Sequence, residues 1–102
     1  MLTLEIHAPG AAVSRHRFDA EGGDIGRAPG NQLVLKDPDR RVSRTHARIV
    51  KRNQGPRIIC LSAAGLTLNN QLVELGEEAL IEDQAQIGIG DFLLRALRAD
   101  HA

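Results

Sequence analysis

Ile25-Gly26-Arg27-Ala28-Pro29-Gly30-Asn31-Gln32-Leu33-Val34-Leu35, followed after a short loop by Val42-Ser43-Arg44-Thr45-His46-Ala47-Arg48-Ile49-Val50-Lys51, is the stretch on which the fold turns. Its apolar residues come in short runs or in alternation, and Gly, Pro and Asn close each run within a few residues. From His46 to Lys51 the alternation gives an extended chain one apolar and one polar side. A helix needs apolar positions three and four apart over several turns, and these breakers leave no window for one. The stretch therefore reads as short strands around Ile25, Val34 and Ile49, with Arg and Ser in the loops between them.

The pattern continues in both directions. Leu2, Leu4 and Ile6 alternate with Thr3, Glu5 and His7 and stop at Pro9-Gly10, and Arg15 to Phe18 makes a second strand before the turn at Gly22-Gly23. Downstream, Leu66-Thr67-Leu68 and Gln86-Ile87-Gly88-Ile89 alternate again. Phe92 to Leu97 reads as a closing strand, because Gly88, Gly90 and Asp91 offer neither an N-cap nor a periodic face for a helix. Eight or more short strands imply an all-β sandwich or barrel. Phe18 and Phe92 are the only aromatics, so Val, Ile and Leu must fill its core. No repeat or low-complexity tract interrupts residues 1–97, which read as a single domain. Residues 98–102 read as a frayed end or the start of a linker.

With 102 residues the chain can bury roughly two thirds of its unfolded surface, enough to fold without disulfides or a structural metal. The single cysteine, Cys60, lies in the apolar run Ile58-Ile59-Cys60-Leu61 and reads as a small buried hydrophobe. The N-terminus is not basic, and no stretch approaches the roughly 20 apolar residues of a membrane span, so the expectation is a cytoplasmic protein without a membrane partner. Thirteen basic and 13 acidic residues cancel overall, yet none of the acidic ones lies between Arg40 and Val73. Arg40, Arg41, Arg44, Arg48, Lys51, Arg52 and Arg57 crowd that stretch. It suits either an anionic partner or a solvated face balanced by the acidic second half of the chain.

Catalysis finds little support. Ser43 and His46 are three apart and point to opposite faces of an extended chain, so only a turn brings the imidazole to the hydroxyl. His7, His16, His46 and His101 are scattered, without the paired spacing of a metal site. Gly88-Ile89-Gly90 lacks the third glycine and the helix of a dinucleotide fingerprint, so no cofactor is expected. Nucleic acid is not expected either, since the basic run carries no aromatic stacking platform. What remains is Arg27 beside Gly26 in one loop and Ser43-Arg44 in the next, groups that suit an oxyanion because charge-assisted hydrogen bonds are about twice as strong as neutral ones.

Those two loops resemble the forkhead-associated (FHA) domain, a reader of phosphothreonine peptides. Gly26-Arg27, the spacing to Ser43-Arg44-Thr45-His46-Ala47, the strand Gly65-Leu66-Thr67-Leu68-Asn69 and Ile87-Gly88-Ile89-Gly90 carry the resemblance, over residues 23 to 97. It implies a sandwich of about 11 short strands with peptide-binding loops at one end, and a binding module rather than an enzyme. It further implies that Arg27 holds the phosphate, Ser43 gives it a hydroxyl and Arg44 adds a basic contact. Gly26, Asn31, His46 and Gly65 would shape the loops. The expected partner is a phosphothreonine segment, in trans or from the protein's own longer chain, in a Ser/Thr kinase pathway.

Two departures bear on function. Where the family usually carries Ser/Thr and Asn before the glycine, this chain has Ala63 and Ala64, which lack a phosphate-directed hydroxyl and a peptide-gripping amide. The alternative is thus a phosphate-independent interaction scaffold with a degenerate pocket. Separately, Lys36-Asp37-Pro38-Asp39-Arg40-Arg41-Val42-Ser43-Arg44 resembles the loop of FHA proteins of bacterial type VI secretion systems, which implies that setting.

Overall fold

The structure is a computed structural model and describes residues 2–98. Its strands are β1 (Leu2–His7), β2 (Ser14–Phe18), β3 (Gly23–Gly26), β4 (Leu33–Val34), β5 (Ala47–Arg52), β6 (Gly55–Cys60), β7 (Leu66–Leu68), β8 (Gln71–Val73), β9 (Glu78–Leu80), β10 (Gln86–Ile89) and β11 (Phe92–Arg98). They form two sheets, β2-β1-β11-β10-β7-β8 and β4-β3-β5-β6-β9, packed as a sandwich. Every pairing is antiparallel except β3 with β4. The closing segment is a strand as expected, and β11 takes in Arg98; the end expected over 98–102 otherwise lies outside the described residues. Among the described residues no helix is long and apolar enough to cross a membrane.

Alternation decides which side chains meet. In β1, Leu2, Leu4 and Ile6 turn inward, and in β11 Phe92, Leu94 and Ala96 do the same, with Leu94 opposite Ile6 and Ala96 opposite Leu4. Phe18, Ile25, Ile58, Ile81, Ile87 and Leu94 are fully buried, each worth about 1.5–3 kcal/mol of transfer free energy. Aliphatic side chains thus build the core, and Cys60 lies within it.

β8 and β9 are too short to leave a period in the sequence. The β7–β8 hairpin instead rests on Asn69 and Asn70, both left-handed at φ 50° and 68°, with Leu68 facing Gln71. Two such residues suit the twist of a two-residue hairpin, and Asn tolerates that conformation well.

Candidate functional site

The loops β3–β4 (27–32), β4–β5 (35–46) and β6–β7 (61–65) are laced together by backbone hydrogen bonds. Arg27 N–H donates to Ser43 O at 3.0 Å, Ala28 N–H to Arg44 O at 3.1 Å and Leu61 N–H to His46 O at 2.9 Å. Such close approach requires Gly26, because a Cβ there would collide with the Arg44 carbonyl and stand 2.8 Å from Asn31 Nδ2. The Asn31 amide bonds Ala28 O at 3.0 Å and Arg44 O at 2.6 Å, tying the two loops a second time.

His46 is fully buried and joins the other pair. Its Nδ1 accepts the Ser43 N–H at 3.0 Å, which puts the ring proton on Nε2, where it donates to Gly65 O at 2.7 Å. Gly65 turns the chain there at φ 76°. Both imidazole nitrogens therefore serve backbone, and Ser43 and His46 are not arranged as nucleophile and base.

Asp37 supports the second loop from beneath. Its buried carboxylate accepts the N–H groups of Val42 (3.0 Å), Arg41 (2.7 Å) and Asp39 (3.1 Å). Burial raises the Asp37 pKa, but the backbone donors outweigh it and hold the pKa below its ordinary value. Arg41 then pairs with Asp91 at 2.9 Å, pinning the loop to the β10–β11 turn.

The structure thus brings Arg27, Ser43 and Arg44 onto neighbouring loops. Arg27 Nε donates to Val42 O at 3.0 Å, which fixes the side chain while its two terminal nitrogens have no partner among the described residues. The exposed Arg44 side chain is likewise unpaired among them. The rest of the basic stretch is largely neutralised: Arg48 pairs with Asp24 at 2.7 Å, Arg52 with Glu78 at 3.1 Å and Arg57 with Glu78 at 2.7 Å. Much of the charge run is a balanced surface; among the described residues Arg40 and Lys51 of that run also lack an ion pair, while Arg27 and Arg44 stand unpaired in the laced loops. Ala63 and Ala64 are exposed beside them, and a hollow of about 340 Å³ adjoins Ala64, with Arg41, Gly65, Leu72 and Gly88 in its lining.

Sequence reasoning missed Ser62. It is 3% exposed, and its Oγ lies 2.6 Å from Ser43 Oγ. A loop serine carries no periodic signal, and only the folded contact singles it out.

The sequence model of the FHA domain matches residues 23–90, which include all three loops. The chain belongs to the FHA-domain family. No curated protein matches it. Among solved structures, an FHA domain from a structural and functional analysis of phosphothreonine-dependent FHA domain interactions is 27% identical, covering 98% of each chain with a TM-score of 0.77. The FhaA FHA domain, solved in complex with the intracellular domain of Rv3910, is 28% identical, with 94% of this chain and 99% of that one covered and a TM-score of 0.74. The N-terminal FHA domain of Saccharomyces cerevisiae Rad53p, in complex with a phosphothreonine peptide, is 21% identical over 97% of this chain and 94% of that one; its TM-score of 0.78 speaks to the fold alone.

Proposed function

We propose that this FHA domain is a non-enzymatic module that docks a phosphothreonine segment onto the loops carrying Arg27, Ser43 and Arg44. The observation that carries the reading is Arg27: its guanidinium is braced through Nε on Val42 O while its outer nitrogens stay unpaired among the described residues, beside the Ser43 loop. A phosphate brings close to two charges near neutral pH and three acceptor oxygens, which suits that fork and a hydroxyl donor. The phosphothreonine-dependent relative at 27% identity and the FhaA domain bound to a partner's intracellular domain support the same reading. The partner segment is in trans or in a longer form of the same chain, within a Ser/Thr kinase pathway in the cytoplasm, and the domain spans residues 1–97. The type VI secretion setting rests on the 36–44 loop alone, where Asp37 and Arg41 already have structural work to do.

Exposed Ala63 and Ala64, with Leu72 at 60% exposure lining the same hollow as Ala64, favour a second reading, a phosphate-independent scaffold. A pull-down from lysate with and without phosphatase separates the two. Partners lost on phosphatase treatment support the reader, and partners retained with both parent and Arg27→Ala support the scaffold.

A further inference from the structure

The buried Ser62 hydroxyl has two neighbours within hydrogen-bond range among the described residues, the Ala64 N–H at 3.1 Å and Ser43 Oγ at 2.6 Å. An N–H only donates, so Ser62 Oγ accepts from Ala64. That leaves the Ser62 proton one acceptor, Ser43 Oγ. In the reverse arrangement Ser62 would accept twice, and its own proton would be buried without a partner, which folded proteins rarely tolerate. We propose that Ser62 is a positioning residue of the phosphate site: it donates to Ser43 Oγ and thereby turns the Ser43 proton outward to a phosphate oxygen.

The backbone of Ser62 is held for this task, since Cys60 Sγ donates to its carbonyl at 3.3 Å and Gly65 N–H to the same oxygen at 3.0 Å. Ser43 Oγ has no other partner among the described residues, so its proton remains for the ligand. A hydroxyl that accepts one bond is also a stronger donor of the next. The inference rests on the phosphothreonine reading of these loops, and its failure is separable from failure of that reading.

The probe is N-acetyl-phosphothreonine N-methylamide, titrated by amide NMR into the parent, Ser43→Ala, Ser62→Ala and the double variant. Ser62→Ala is expected to weaken binding on the order of 3- to 10-fold, the worth of one oriented hydrogen bond. In the Ser43→Ala background the same change should cost nothing further, because it acts only through that hydroxyl. A merely structural serine would weaken both backgrounds equally, and that result, or parent affinity in folded Ser62→Ala, overturns the proposal while leaving the phosphate reading standing. In the unmutated protein, a slowly exchanging Ser62 hydroxyl proton with a cross-peak to the Ser43 β-protons is expected. A protected Ser43 hydroxyl proton in its place overturns the proposal even if Ser62→Ala does not fold. A parent that gives no phosphate-dependent shifts at all sinks the phosphate reading and the role of Ser62 together.

Discussion

At the scale of single residues, Ala64 gives the sharpest contrast with the rest of the site. Its side chain is exposed at the loop end while its N–H is occupied by Ser62, so an amide side chain has room to project without disturbing the turn. Ala64→Asn is expected to add up to two hydrogen bonds to a bound peptide backbone, about 1–3 kcal/mol or roughly 5- to 150-fold in affinity. Titration with one phosphothreonine peptide checks this; the gain should vanish in the Arg27→Ala background. His46→Ala works in the opposite direction, stranding the Ser43 N–H and the Gly65 carbonyl. It should destabilise the fold by about 2–6 kcal/mol, read from urea unfolding, from two orphaned groups at about 1–3 kcal/mol each. Arg27, Ser43, Asn31 and His46 were nameable from the motif and its family resemblance. Ser62 was not, because its importance lies in a contact between residues nineteen apart.

Among the elements, the β4–β5 loop depends most on a single ionised group. The Asp37 pKa is lowered below its ordinary 3.8 in the fold, so its contribution is fully present above that pH and is lost as pH falls through the folded value. Glu78, lowered chiefly by the Arg52 hydrogen bond, and Glu5, lowered chiefly by the His7 hydrogen bond, behave alike from an ordinary 4.5. Stability should therefore be flat from neutral pH to about 4.5 and fall below it, and Asp37→Ala should flatten the lower part of that fall. Thermal melts across pH 2 to 7 check both. In the same variant the Arg41 and Val42 amides should exchange faster, since their acceptor is gone.

Strands such as β1, β5 and β10 were legible because period-2 alternation survives over four or more residues. The short strands β8 and β9 left no such signal, and the turn at Asn69 and Asn70 that starts β8 emerges only from the backbone of the fold. The ion pairs were not legible, because Asp24 and Arg48 meet only once β3 and β5 are in register, and Glu78 reaches Arg52 and Arg57 only once β9 lies beside β6. The basic run from Arg40 to Arg57 thus looked more available in the sequence than it is in the fold.

At the scale of the whole molecule, the sandwich is a rigid aliphatic core that holds three laced loops at one end. Affinity for a phosphothreonine peptide should rise between about pH 5 and 7 as the phosphate loses its second proton near pH 6. The central claim is that phosphate is read by Arg27 and Ser43, and one calorimetric comparison tests it most directly. The best binder from a phosphothreonine-oriented peptide library and its unphosphorylated twin are titrated into the parent and into folded Arg27→Ala and Ser43→Ala. The account predicts binding of the phosphorylated peptide alone, a loss of about 2–5 kcal/mol with Arg27→Ala, and an intermediate loss of about 1–2 kcal/mol with Ser43→Ala. Equal affinity for the two peptides, or a phosphopeptide affinity untouched by Arg27→Ala, would contradict it.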